Sequence, residues 1–139
     1  MKRICVIDGQ GGGIGSALIK SLKARTGETV EIIALGANDI ATAQMLRSGA
    51  NRGASGENPI CVNVGTAHFI LGPVGISWAN AMTGEITPRM AEAVMSCPGV
   101  KIFIPLFQGE TVIVGTVKEP LPHLVEEAIN LVMKEICNV

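Results

Sequence analysis

An unbroken apolar run, Ile4-Cys5-Val6-Ile7, passes directly into Asp8-Gly9-Gln10-Gly11-Gly12-Gly13-Ile14-Gly15, and this junction constrains the fold more than any other stretch. A strand that is apolar at every position is buried on both faces, as in a parallel sheet covered by helices. The residues after it change period. Ile14, Ala17, Leu18 and Leu22 recur at helical spacing over Ile14 to Ala24, with Lys20 and Lys23 on the other side and Gly27 as the stop. A buried strand that turns through glycines into an amphipathic helix is the opening unit of a parallel α/β sheet with right-handed crossovers.

The pattern repeats downstream. Val30 to Leu35 is a second strand, and Asn38 or Asp39 caps a second helix that turns Ile40, Ala43 and Leu46 inward before Gly49. Asn51 to Pro59 is polar and glycine-containing, and reads as a long loop. Ile60 to Val64 and Phe69 to Leu71 are expected as short strands around Gly65-Thr66-Ala67. Thr87-Pro88 starts a helix that runs to about Cys97 and stops at Pro98-Gly99. Lys101 to Phe107 and Thr111 to Val117, joined only by Gln108-Gly109-Glu110, are expected as an antiparallel hairpin. The last helix spans about His123 to Ile136. One of its stripes (Val125, Ile129, Val132, Ile136) should cover the sheet. A second (Leu124, Ala128, Leu131) needs a partner. The expected fold is therefore a single doubly wound, mostly parallel α/β domain over residues 1–139, ending in a hairpin strand and a helix.

Five glycines between positions 9 and 15 exceed what a strand-to-helix turn requires. Glycine lets the main chain approach a ligand closely. Free N–H groups and the dipole at a helix N-terminus favour an anion. A phosphate is the natural occupant, so Asp8, Gly9, Gln10, Gly11, Gly12, Gly13, Ile14 and Gly15 are the first candidate binding residues. In a doubly wound sheet the ligand lies beyond the carboxyl ends of the strands. Gly36-Ala37-Asn38, Gly72-Pro73-Val74-Gly75 and the turn after Ile104-Pro105-Leu106 should gather at that end.

The turn resembles known patterns. Gly11-x-Gly13, with Ser16 at the third glycine position, is similar to the Rossmann dinucleotide turn. Gly9-x-x-x-Gly13-Ile14-Gly15 resembles the turn of short-chain dehydrogenases/reductases. The catalysis of that family needs a Tyr, and this chain has none. Gly11-Gly12-Gly13-Ile14-Gly15-Ser16 also looks like the phosphate loop of tubulin-like GTPases, whose domain would not fit in 139 residues. Asp8 to Gly13, Leu71-Gly72-Pro73-Val74-Gly75-Ile76 and Gly84-Glu85-Ile86-Thr87-Pro88-Arg89-Met90-Ala91 together are similar to a small family of bacterial, Rossmann-like proteins of unknown function. That resemblance runs nearly end to end and implies no activity.

Individual residues carry paired readings. Asp8 can bond a ribose hydroxyl or the loop's own N–H groups. Gly72 to Gly75 can lie against an adenine or nicotinamide ring, or be a plain turn. Glu85 is the candidate general acid or base if there is chemistry, and otherwise a solvated carboxylate at a helix start. Arg52 can clamp a phosphate or sit in solvent. Trp78 reads as core or interface rather than as a stacking platform. His68 and His123 have no neighbours at ligand spacing, and Cys5, Cys61, Cys97 and Cys137 contain no Cys-x-x-Cys pair, so no metal is expected. An NAD site places a carboxylate about 20 residues beyond the turn. Leu35-Gly36-Ala37-Asn38 has none, with Asp39 used as a cap. NADP or a mononucleotide is therefore expected ahead of NAD, although an Arg for the 2′-phosphate is missing from Leu35 to Ile40.

Composition narrows the functional classes. Net charge is −1 without a basic stripe, which argues against nucleic acid. No apolar run approaches a membrane span, and the N-terminus is too short before its first strand for a signal peptide, so a reduced, cytoplasmic setting is expected. A mean hydropathy of +0.41 in so short a chain points to a homo-oligomer, most simply a twofold dimer. Three functions follow: a nucleotide-binding or sensing module, a small NAD(P)-dependent oxidoreductase completed between subunits, or a scaffold with an empty fold.

Overall fold

A computed structural model describes residues 1–137. Its sheet is built from β1 (Lys2–Asp8), β2 (Val30–Gly36), β3 (Arg52–Ser55), β4 (Phe69–Pro73) and β5 (Val100–Ile104) in the order β3-β2-β1-β4-β5. Every pair is parallel, with Ile4 opposite Ile32 on one side and Phe69 on the other. The chain therefore winds outward from β1 to β3 and then returns to place β4 beside β1. That reversal opens a crevice at the carboxyl ends of β1 and β4.

Five helices cover the two faces: α1 (Gly13–Thr26), α2 (Asp39–Arg47), α3 (Glu57–Val64), α4 (Pro88–Ser96) and α5 (Leu121–Cys137). Leu18, Ile19 and Leu22 of α1, Ala41 and Met45 of α2, and Val125, Ile129 and Val132 of α5 pack on Ile4, Val6, Ile32 and Ala34. Ile60 and Val64 of α3 and Met90 and Val94 of α4 pack on Cys5, Ile7, Ile33 and Leu35. Successive strand residues thus serve opposite cores, which is why β1 and β2 are apolar throughout. Each fully buried aliphatic side chain contributes roughly 1.5–3 kcal/mol.

Four expectations are corrected. α2 turns Ala41, Thr42 and Met45 inward and leaves Ile40 and Leu46 exposed. Residues 60–64 form a helix, because an apolar run of that length fits a buried strand or a buried helix equally, and Glu57-Asn58-Pro59 supplies a helix start. The polar loop contains an edge strand, β3, recruited by backbone pairing to β2 rather than by an apolar pattern. The antiparallel hairpin is absent. β5 pairs in parallel with β4, and residues 111–117 form no strand. The chain after β5 instead crosses the carboxyl end of the sheet, where Phe107 seats against Trp78. The capping expectation resolves in favour of Asn38, whose Oδ1 accepts Ala41 N–H at 2.8 Å. Asp39 is the first helical residue and is exposed.

Cys61 lies on α3, not in a strand as expected, and the environments of the cysteines differ. Burial pushes the Cys5 thiol up to about 12, with the Arg3 charge opposing this. Cys97 is also buried, Cys61 is half-buried and Cys137 is exposed. A thiolate reagent should modify Cys137 first and Cys61 slowly, and should reach Cys5 and Cys97 only on unfolding. Fast labelling of Cys5 in the native protein, read by peptide mass spectrometry, would contradict this packing.

Candidate functional site

The β1–α1 turn is organised by Asp8. Its carboxylate is buried, and its two oxygens accept Gly9 N–H and Gly15 N–H, each at 2.7 Å. Between the two readings of Asp8, the geometry is that of the loop's own acceptor. Burial raises its pKa, the N–H groups of Gly15, Gly9 and Ile14 oppose that rise, and the Glu85 charge adds to it.

The glycines of the turn sort by what a Cβ would meet. Gly12 has φ 74°, and a Cβ there would lie 2.8 Å from Ala41 Cα. Gly15 is packed against Met45 and Asp8, and Gly9 against Glu85 and Met82. Gly11 and Gly13 are different. A Cβ at either meets nothing within 4 Å, and neither has a left-handed φ. No described residue takes the N–H of Gly11 or Gly13, whereas Gly12 N–H is bonded to Gly9 O at 2.9 Å. Ser16, one helical turn on, holds the one buried side-chain polar atom without a partner among the described residues.

A polar clamp closes the β2 side of the turn. Glu85 accepts Gln10 N–H at 2.7 Å through Oε1 and Asn38 Nδ2 at 2.9 Å through Oε2. Asn38 Nδ2 also donates to Gln10 O at 3.0 Å. Gly36 is walled in by Thr42 and Asn38, and Ala37 N–H bonds Asp8 O at 2.8 Å. The space beyond β2, where a dinucleotide would place its adenosine ribose, is therefore occupied by the protein's own contacts. Arg52, the other candidate phosphate group, pairs with Glu31 on β2 at 2.5 Å.

The open space lies on the β4–β5 side. A cleft of about 550 Å³ is bounded by Asp8, Gln10 and Ile14 from the turn, by Pro73 and Gly75 after β4, and by Leu106 to Gly109 after β5. Trp78 forms a further wall, its ring 4.8 Å from Phe107 at an interplanar angle of 75°. Of the sequence-expected residues, Asp8, Gln10, Ile14, Pro73, Gly75 and the turn after Leu106 line this cleft. Gly9, Gly11, Gly12, Gly13, Gly15, Gly36, Ala37, Asn38, Gly72, Val74 and Glu85 do not. At Gly72 a Cβ would sit 2.2 Å from Ile7 O, so that glycine serves strand packing.

Asn80 is legible in the sequence as a polar residue near the end of β4, but the backbone of the cleft's far rim is not. Asn80, Met82 and Thr83 have φ of 68°, 57° and 57°, and with Gln10 they are the four non-glycine residues in the left-handed region among the described residues. All four line the cleft. Left-handed backbone at a β-branched residue such as Thr83 is costly, of order 1–3 kcal/mol. It is held by Gly84 N–H to Asn80 O and Asn80 N–H to Ile86 O. The one available signal was Thr83-Gly84, a turn sequence.

No arginine or lysine lines the cleft. Among the described residues no group of three or more His, Cys, Asp or Glu side chains gathers to hold a metal. His68 Nδ1 accepts Arg3 N–H at 3.0 Å and lies at the opposite end of the sheet. No described helix is long and apolar enough to cross a membrane.

Seven chains of solved structures match this fold. One is a dodecameric FMN-dependent Ubix-like decarboxylase from Escherichia coli O157:H7, with TM-score 0.55 and 14% identity over 98% of this chain and 94% of that one. At that identity the likeness is one of fold. No curated protein matches the sequence significantly. Residues 3–137 match the family described as a domain of unknown function, DUF3842, and the chain belongs to that family.

Proposed function

We propose that the chain is a binding domain for a mononucleotide-class ligand, with its phosphate on the Gly11–Gly13 turn and its planar ring in the cleft beside Trp78. The observation that carries this reading is the pair Gly11 and Gly13. Their missing side chains serve no packing or backbone need, and both carry unpaired N–H groups at the start of a fourteen-residue helix. A backbone cradle backed by a helix dipole suits one phosphate without a cationic side chain.

The geometry favours a mononucleotide over NADP or NAD. The Glu85–Asn38–Gln10 clamp fills the adenosine position, and no cation is placed for a 2′-phosphate. The solved neighbour is named as FMN-dependent, and FMN is a ligand of the right size class for a cleft of about 550 Å³. The residues present fit it: Gly11 and Gly13, on the turn beside the cleft-lining Gln10 and Ile14, would hold the phosphate, and within the cleft Asn80 and Gln108 offer neutral amides and Trp78 and Met82 offer apolar contact. A bound flavin would supply a redox-active ring. Glu85 has both oxygens engaged by Gln10 and Asn38 and serves in this reading as a positioning residue for the turn.

Trp78 is the chain's only tryptophan, so its fluorescence reports the cleft directly. FMN should quench it saturably, and Trp78→Ala should weaken binding about tenfold, as expected for loss of one aromatic wall. In a thermal-shift panel of FMN, NAD, NADP, ATP, GTP and coenzyme A, a mononucleotide at about 100 times its Kd should add about 2.7 kcal/mol of stability. Stabilisation by NAD or NADP alone would overturn the mononucleotide reading. No shift with any of them would favour the empty scaffold.

A further inference from the structure

Residues 111–117, Thr-Val-Ile-Val-Gly-Thr-Val, contradict their own chemistry. Six of the seven are β-branched and none is charged, which is the composition of a strand buried on both faces. They nevertheless lie in solvent. Val112, Val114 and Val117 are 85%, 96% and 73% exposed. Between Gly109 and Glu119 one backbone bond is made among the described residues, Thr116 N–H to Ile113 O at 3.4 Å. The segment pairs with no strand of its own protomer, and its one backbone bond closes a turn at Val114-Gly115, where Gly115 has φ 90°.

The same protomer carries an unpaired strand edge. β5 is the last strand of the sheet and is bonded only to β4. Beside it runs a groove of about 230 Å³ between β5 and α5, where Ile102, Ile104, Leu124 and Leu131 meet and Glu127 is the one charged residue of the lining. Leu131 is 48% exposed there. An open edge next to such a groove is a template for one more strand. The protomer's own arm does not fill it. Phe107, seated on Trp78 over the carboxyl end of the sheet, leads the chain away from β5 before the valines begin.

From this complementarity we infer that two copies of the chain exchange arms. Residues 111–117 of each protomer extend from the turn at Val114-Gly115 and add a strand to the β5 edge of the other, with Val112 and Val114, which share one face of that strand, in the β5–α5 groove. Both halves of the contact are on every copy, so reciprocal exchange closes as a twofold dimer. It also accounts for Leu131, the exposed member of the second α5 stripe; Ala128 is buried and Leu124 packs on the core within the protomer. The occupant is a second copy rather than an unrelated peptide because the strand-forming segment and the unfilled edge belong to one chain and have the same length scale, seven residues against five. The inference does not rest on a ligand in the cleft.

Sedimentation velocity of the full chain at micromolar concentration tests it. The wild type should sediment as at least twice the 14.5 kDa chain mass. Val112→Lys with Val114→Lys should reduce that mass, and so should Leu131→Lys. Val62→Lys, on an exposed face of α3, should leave it unchanged. The arm variant mixed with the Leu131→Lys variant should recover part of the dimer, because one intact arm then meets one intact edge. Hydrogen exchange should show amides 112–117 protected in the wild type and fast in the Leu131→Lys variant. A monomeric wild type would overturn the proposal, whether amides 112–117 are protected by an intrachain hairpin or unprotected. Retention of the full mass by the arm variant would overturn it too.

Discussion

Replacing Gly13 with Val should abolish FMN binding at concentrations that saturate the wild type, while the melting temperature stays within about 2 °C. The position has room for the side chain, since a Cβ meets nothing within 4 Å and no left-handed backbone is required. That room is the space assigned to the phosphate. The isopropyl group would stand where the anion approaches Gly13 N–H, removing both volume and a donor. Gly12→Val should behave in the opposite manner. Its φ of 74° and the approach of Ala41 backbone to 2.8 Å of a Cβ make it a folding residue, costing about 3 kcal/mol or more. Calorimetric titration of folded Gly13→Val gives the decision. Unchanged FMN affinity would show that the phosphate, if bound at all, is held elsewhere.

The contrast between these neighbours shows what was legible in the sequence. The turn itself, the strand before it and the helix after it followed from apolar period and glycine density, because burial on both faces and a tight turn leave direct marks on composition. Which glycine serves the fold and which is free for a ligand does not. Gly12 and Gly13 are distinguished by Ala41, a residue on another helix whose approach no local pattern records. The same holds for Asn38 and Glu85. Asn38 was expected as a helix cap at the ligand end of the sheet and Glu85 as an acid or base or else a solvated carboxylate, but they meet each other across 47 positions of sequence and tie the turn to the start of α2.

The cleft's position was half legible. The carboxyl ends of β1 and β4 follow from the winding of the sheet, and Pro73 and Gly75 are found there. The turn after Leu106 was expected there too, and Phe107 to Gly109 line the cleft; the left-handed stretch at Asn80 to Gly84 and the seating of Phe107 on Trp78 were not legible. Residues forced into unusual backbone by tertiary contacts carry no periodic signal. Phe107 was assigned to a hairpin because β-branched residues follow it, and the local preference was real. Residues 111–117 retain strand chemistry without a strand partner inside the protomer.

Asp8→Ala should lower unfolding stability by about 2–3 kcal/mol at neutral pH, as a fall in the urea midpoint with an unchanged slope. Two bonds from backbone N–H to a buried carboxylate are lost, and Gly9 and Gly15 N–H are left without an acceptor. Some of that loss is offset, because the variant no longer buries a charge. Asp8→Asn, which retains one carbonyl oxygen, should lose about half as much. The pH dependence separates the opposing effects. Burial raises the folded-state pKa of Asp8 above its unfolded value, with the N–H groups opposing and Glu85 adding to the rise. A raised folded pKa means that the native state holds the proton more tightly. The contribution of Asp8 is then fully present below the ordinary carboxylate value of about 4. It declines as pH rises through the raised folded value and is flat above it. The gap between wild type and Asp8→Ala should accordingly narrow from acid toward neutral pH. A gap that widens over that range would mean that the N–H groups of Gly15, Gly9 and Ile14 outweigh burial.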